Sequence, residues 1–278
     1  MSINYSCEVK NPPSVEVITF TYNESLHIDY LVKWYSARFR NLKITVYDNH
    51  STDDTVAKAR SLGCKVISWG HISQRDEQLF TNLKNQCFKE IVSDYFIICD
   101  VDELLDVTEL DLVAKQPVAV QGIGYQMVGN NYLKFNEIRS GARDPQYDKH
   151  FMFKRSEVLE INYADGAHSC SPVFNEGSRK RVILRRNLYH FTWLSFEFVL
   201  NRYKRNAQRT SKNDKDQGFG IHYFFDEKKL VTIYSQCKDN AVVLPISWKS
   251  QIRNLDSIWI KLLIKLHLED LRRKFQRF

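Results

Sequence analysis

The segment Tyr95-Phe96-Ile97-Ile98-Cys99 runs straight into Asp100-Val101-Asp102-Glu103. That junction constrains the fold more than any other feature of the chain. A short run that is apolar at nearly every position has no solvent face, so it reads as a central strand covered on both sides. Its partners precede it: Val15–Phe20, Lys43–Tyr47 and Lys65–Trp69 are rich in β-branched and aromatic residues and read as strands. Helical patterns separate them. One starts near Glu24 and places Leu31, Trp34 and Tyr35 at helical spacing. A short one is capped within Ser51-Thr52-Asp53-Asp54, reaches about Leu62 and stops at Gly63. A longer one covers Gln74 to about Val92. Strand–helix alternation predicts an α/β fold, with a mostly parallel sheet, right-handed crossovers and flanking helices.

The second half is less regular and reads as an α+β extension. Val118–Met127, Lys149–Lys154 and Val182–Tyr189 are predicted strands, with Gly122, Gly124, Gly129 and Gly141 marking turns or close backbone approaches. Phe196, Val199, Leu200 and Tyr203 follow helical spacing after His190, and Arg209–Gly220 reads as a polar loop. Ser257–Phe278 predicts a further amphipathic helix, in a tail carrying eight basic and three acidic residues from Lys249 onward. No linker, repeat or low-complexity stretch divides the 278 residues, so a single domain over 1–278 is expected.

Composition narrows the class. Hydrophobic content of 43% and charged content of 26% are those of a globular protein. No apolar run approaches the ~18–20 residues that span a bilayer, and Met1–Ser6 lacks signal-peptide character, so a cytoplasmic location is expected. The six cysteines (Cys7, Cys64, Cys87, Cys99, Cys170, Cys237) form no C-x-x-C pair and read as free thiols. The net charge of +7 is spread over Arg179-Lys180-Arg181, Arg185-Arg186, the Lys204/Arg205/Arg209 helix and Arg272-Arg273-Lys274. Such charge is compatible with nucleic acid, an anionic membrane surface or a phosphate-bearing substrate, but by itself it reads as a solvated face, and nucleic acid is not expected as a partner.

In parallel sheets ligands bind beyond the carboxyl ends of the strands. That rule selects Thr21–Glu24, Asp48–Ser51, Gly70–Ile72 and Asp100–Glu103. Alternation along an extended chain would point Asp100 and Asp102 to one side. Two adjacent carboxylates repel unless a cation or proton intervenes. A hard divalent ion with oxygen ligands, Mn2+ or Mg2+, would relieve the repulsion, bind a diphosphate as well, and act as a Lewis acid on it.

Thr21-Tyr22-Asn23-Glu24, Tyr47–Thr55 and Cys99–Glu103, in that order on successive strand ends, resemble the GT-A fold glycosyltransferases, in the family-2-like branch with a Tyr/Lys-Asn-Glu, a D-N-x-S-T-D segment and a D-x-D-E motif. The resemblance is good over about residues 15–110 and weaker to about 225. His50 departs from it, standing where many members carry glycine. The resemblance implies a metal-dependent transferase moving a hexosyl or pentosyl group from a UDP-sugar to a glycan acceptor, protein- or lipid-linked. It implies a nucleotide-sugar-binding half at about 1–110 and an acceptor-binding half beyond. Tyr22 and Glu24 would flank the nucleotide and Asp48 would hydrogen-bond the base. Asp100 would face ribose and metal, Asp102 would ligate the metal, and Asn85 would help hold the donor. His190 resembles a late metal-binding histidine of the family, with His168 as its competitor.

Other roles follow from chemistry. Lys149, Arg155 and Lys204 are candidate phosphate cations. Transfer with inversion needs a carboxylate base; Asp165, beside Gly166, is the first candidate and Asp148 the second. Tyr125, Tyr132, Phe135, Trp193 and Phe219 are candidate sugar-stacking rings. The basic C-terminal helix is a candidate for peripheral membrane contact. A nucleotidyltransferase of related topology is one rival, although Thr21–Glu24 is no Gly-rich phosphate loop; a non-catalytic basic module for nucleic acid or anionic surfaces is another.

Overall fold

The computed structural model describes residues 11–130, 132–176 and 181–249. The first half alternates as β1 (Val15–Thr21), α1 (Ser25–Ser36), β2 (Leu42–Asp48), α2 (Thr55–Ser61), β3 (Lys65–Ser68), α3 (Glu77–Gln86) and β4 (Tyr95–Asp100). Then come β5 (Glu103–Leu105), α4 (Glu109–Lys115), β6 (Ala119–Val128), β7 (Ser140–Arg143), β8 (His150–Lys154), β9 (Val158–Glu160), β10 (Val173–Phe174) and β11 (Ile183–Trp193). The described chain closes with α5 (Phe196–Arg209), α6 (Lys212–Asp216), α7 (Glu227–Asp239) and β12 (Val242–Val243).

One ten-stranded sheet runs in the order β12-β7-β6-β8-β4-β1-β2-β3, with β11 pairing both β5 and β6. β3, β2, β1 and β4 are parallel, as is the long β6–β11 ladder. The β8 strand sits antiparallel between β4 and β6 and ties the two halves together. The mixed, mostly parallel sheet flanked by helices is therefore the fold expected from the sequence.

Strand alternation builds a core on each face. Val15, Val17, Tyr95, Ile97 and Cys99 join α1's Ile28, Leu31 and Trp34 on one side. Ile18, Phe20, Phe96 and Ile98 meet Phe80 and Phe88 on the other. All six of the β4 residues but the last are buried, in keeping with a central strand. The five described cysteines are free.

Several boundaries differ from the sequence reading. α3 begins at Glu77, not Gln74, because Asp76 caps it by accepting the Leu79 N–H. The 209–220 stretch is not all loop, since Ser211 caps α6. β11 continues four residues past Tyr189, held by its ladder with β6. The α4 and α7 helices were not foreseen; a Thr108/Asp111 capping box starts the first. The expected helix at Ser257–Phe278, with its membrane contact, lies outside the described residues, as does Cys7.

Gly124 shows how tightly β6 carries the chain beside it. A Cβ there would stand 2.4 Å from Tyr147 Cβ and 2.6 Å from the Asp144 carbonyl oxygen. Gly124→Ala should therefore cost about 1–3 kcal/mol, as overpacking against fixed backbone does, read as a drop in the denaturant midpoint at constant slope. An unchanged midpoint would mean that the 145–147 turn moves freely.

Candidate active site

The C-terminal ends of β1, β2, β3 and β4 open on one cavity of about 910 Å3. The turn after β1 is fixed to the turn after β2, where the Asn23 and Glu24 N–H groups donate to Ser51 Oγ and Thr55 Oγ1. His50 takes φ +60°, the left-handed conformation that glycine adopts without penalty and histidine tolerates better than most residues. Gly70, at φ +72°, is required because Asn49 Nδ2 donates across it to the Trp69 and His71 carbonyls.

The two acids of the D-x-D do not share a side. The strand ends at Asp100 and the next two residues turn, so alternation stops there. Asp100 stays on the α3 face, where Lys84 Nζ lies 2.7 Å from Oδ1. Asp102 is buried and faces β11 and α5. Its Oδ2 lies 2.5 Å from Arg202 Nη1, 3.2 Å from His190 Nε2 and 3.1 Å from Thr192 Oγ1. His190 and Thr192 reach it because β11 pairs with β5, setting His190 opposite Glu103, and because the Phe191 N–H donates to the Asp102 carbonyl.

Each acid is held ionised. Burial would raise the Asp102 pKa, but Arg202 and His190 outweigh it and bring it well below the usual range. At Asp100 burial is likewise overcome, by Lys84 and Lys149. Lys84 in turn would be lowered by burial, yet Asp100 and Glu103 raise it. Glu24, buried against Arg202, Arg205 and His27, is brought down to about 2 because those charges exceed the cost of burial. Glu103 receives the Asp100 N–H and Lys149 Nζ.

Among the candidates, Tyr22, Glu24, Asp100, Asp102, Lys149, Asp165, His168 and His190 line the cavity, with the rings of Trp193 and Phe219 but not those of Tyr125 and the buried Phe135. Asp48, Asn85 and Asp148 do not. Asp48 is buried, accepting from Thr21 Oγ1, the Ser51 N–H and Ser51 Oγ; it holds the turn shut. Asn85 clamps the Tyr163 backbone, accepting its N–H and donating to its carbonyl. Asp148 accepts the Gly124 N–H and pairs with Arg143. Arg155 and Lys204 also lie outside the lining.

Of the seven carboxylates in the lining, Asp165 alone has no hydrogen bond or ion pair with another described residue. It is exposed, at a 3-10 turn where Gly166 takes φ +75°. Sequence reasoning placed Lys204, Arg205 and Arg209 on this helix but did not single out Arg202. Arg202, Arg205 and Arg209 are spaced by three and four residues, the signal of a shared helix face. Arg209 lies 3.3 Å above the Tyr22 ring, and its hydrogen bonds go to Asn49 oxygens rather than a carboxylate. Its buried Nε has no partner.

No protein-family model matches the sequence, and no curated protein matches it. Solved structures do show likeness. The chain is similar to S. aureus TarS 1–349 in complex with UDP (14% identity, covering 80% of this chain and 70% of that one, TM-score 0.41). It is also similar to a structure of TarS 1–349 (14% identity, 69% and 65% covered, TM-score 0.39). A third is the mannosyltransferase PcManGT from Pyrobaculum calidifontis in complex with GDP-Man and Mn2+ (15% identity, 72% and 62% covered, TM-score 0.36). The chain thus spans 65% and 62% of the latter two. At these identities and scores the likeness assigns neither activity nor site residues. No helix among the described residues is long and apolar enough to cross a membrane.

Proposed function

We propose that the protein transfers a sugar from a UDP-sugar to a saccharide acceptor, with the chemistry of a GT-A glycosyltransferase. The observation that carries this reading is the placing of Asp100 and Asp102, both held ionised, on a cavity whose facing wall is the cationic side of α5. Anionic phosphates and a cationic wall complement each other, and aromatic Phe20, Tyr22, Trp69 and Phe80 beside it suit a base and ribose.

A divalent ion fits only in a particular way. The described residues hold no group of three or more His, Cys, Asp and Glu placed for a metal. Lys84 occupies Asp100 Oδ1, and Arg202, Thr192 and His190 crowd Asp102 Oδ2. Asp100 Oδ2 and Asp102 Oδ1 accept nothing from the described residues; because the two acids face different sides, Mn2+ or Mg2+ would be held by one of them, with the diphosphate completing the shell. When bound, the ion would supply Lewis-acid neutralisation of the departing diphosphate. Its other ligands would come from the donor rather than from His190, which is engaged with Asp102, Thr192 and Gln126.

The chain's own residues do the rest. Arg209, with no carboxylate to satisfy it, binds diphosphate oxygen, and Tyr22 fixes its plane. Asp165 takes the acceptor hydroxyl proton as the oxygen–C1 bond forms, and the C1–diphosphate bond breaks with its electrons leaving on the phosphate. A single base and no covalent intermediate give inversion. Asp148 is passed over because Arg143 and Gly124 occupy its carboxylate.

Thermal-shift titration with UDP, with and without Mn2+, tests the reading. Saturation at about 100 times Kd should add about 2.7 kcal/mol of stability, and absence of any nucleotide-dependent shift would sink it. Arg209→Ala should weaken UDP at least ~10-fold, the scale of a lost charge-assisted hydrogen bond, while leaving uridine binding unchanged. Equal losses for UDP and uridine would instead place Arg209 on the base.

A further inference from the structure

We infer that the acceptor is an uncharged carbohydrate, seated in the lobe of the cavity between β6, β7 and α7. The inference rests on the glycosyl-transfer reading and names its second substrate class. The two ends of the cavity differ in charge. Over the parallel strand ends Arg75 and Arg202 are paired with Glu77, Glu24 and Asp102, and Arg209 is left without a carboxylate. The far lobe presents four carboxamides, Gln126, Gln146, Gln236 and Asn240, with Arg143 and Asp144 beside them.

That lobe adjoins the reacting end. Cys237 Sγ lies 3.9 Å from the Gln126 carbonyl oxygen, setting α7 against β6. Gln126 Oε1 accepts from His190 Nδ1 at 2.9 Å, and His190 Nε2 lies 3.2 Å from Asp102 Oδ2. A polar chain therefore runs from Asp102 through His190 and Gln126 to Asp144, whose Oδ2 accepts from Gln126 Nε2 at 3.1 Å.

The charges in the lobe are spent internally. Arg143 pairs with Asp148 and donates to the Gly124 carbonyl, while Asp144 Oδ1 accepts the Gln146 N–H. Among the residues that line the lobe Arg143 is the one cation, and Lys229, outside the lining, is held over the Phe225 ring at 3.6 Å; a phosphate or carboxylate in the lobe would be desolvated without a lining partner. Carboxamides carry donors and an acceptor on one group, which matches vicinal hydroxyls that both donate and accept. Phe225 and Ile233 supply an apolar wall for ring C–H faces.

Saturation-transfer NMR on the full chain, with and without UDP, would compare lactose with lactose 6-phosphate and cellobiose with cellobiouronic acid. The neutral sugars are expected to bind at least ~10-fold tighter than their anionic counterparts. The double variant Gln236→Ala/Asn240→Ala should weaken neutral-sugar binding roughly ten-fold, the scale of two lost hydrogen bonds, without changing UDP affinity. Gln236→Lys should narrow the preference by admitting the phosphate. Anionic sugars binding as tightly as neutral ones, no neutral sugar binding, or an unaffected double variant would each overturn the inference. Sugar binding retained without any UDP binding would instead remove the donor reading and leave this lobe standing.

Discussion

Arg202→Met is expected to destabilise the protein by about 3–5 kcal/mol, the cost of leaving a buried charge without its partner. Arg202 joins Glu24 and Asp102 at 3.0 and 2.5 Å, and both acids are at most 7% exposed. Methionine fills much of the same volume but offers no charge, so the two carboxylates must stay ionised unpaired or take up protons. The pH dependence carries the signature. Glu24 is lowered from 4.5 to about 2 in the folded protein, so its stabilising contribution is present above about pH 4.5. It is lost as the pH falls toward 2, and amounts to roughly 3 kcal/mol. In Arg202→Met that acid limb should shrink, because Glu24 titrates closer to its unfolded value. Urea midpoints measured between pH 7 and pH 3 would show it. A variant within 1 kcal/mol of the parent at pH 7, with an unchanged acid limb, would mean that Arg205 and His27 suffice.

Asp102→Asn is expected to lower glycosyl transfer by about 10²–10³-fold, the scale on which removal of one preorganised charge acts on a transition state. It should do so at full saturation with donor, because Asp102 would act through the divalent ion, which when bound neutralises the negative charge that develops as the diphosphate departs. Asparagine also loses the charge that Arg202 and His190 neutralise, so the variant should melt below the parent as well. Asp100→Asn is the informative comparator: its partner Lys84 comes from α3 rather than α5, and the site there is more open. Single-turnover rates for the two variants separate chemistry from stability, and transfer retained within ten-fold in Asp102→Asn would remove this acid from the reaction.

Much of the cavity's wall at the strand ends was legible because it depends on local pattern. β4 had to be central, and its last residue had to emerge at a ligand edge, since a strand without a polar face cannot sit anywhere else. Gly166 marked the turn that leaves Asp165 exposed on the cavity. Other assignments failed to show because they depend on which partner arrives from far along the chain. Asp48 and Ser51 close on each other within one turn, an Asx-type contact that competes with any ligand. Asn85 meets Tyr163 across 78 residues, and Arg202 meets Asp102 across 100.

The sequence by itself determined the alternating β1–β4 half, its buried central strand and the presence of two acids at that strand's end. Periodicity and burial are properties of neighbouring residues, so they are written locally. Only the tertiary structure decided what those acids face. The turn after Asp100 sends one acid to Lys84 on α3 and the other to Arg202 on α5, and β11 delivers His190 and Thr192 beside the second. Charge pairing over such separations is set by how helices pack on the sheet, and no local spacing encodes it.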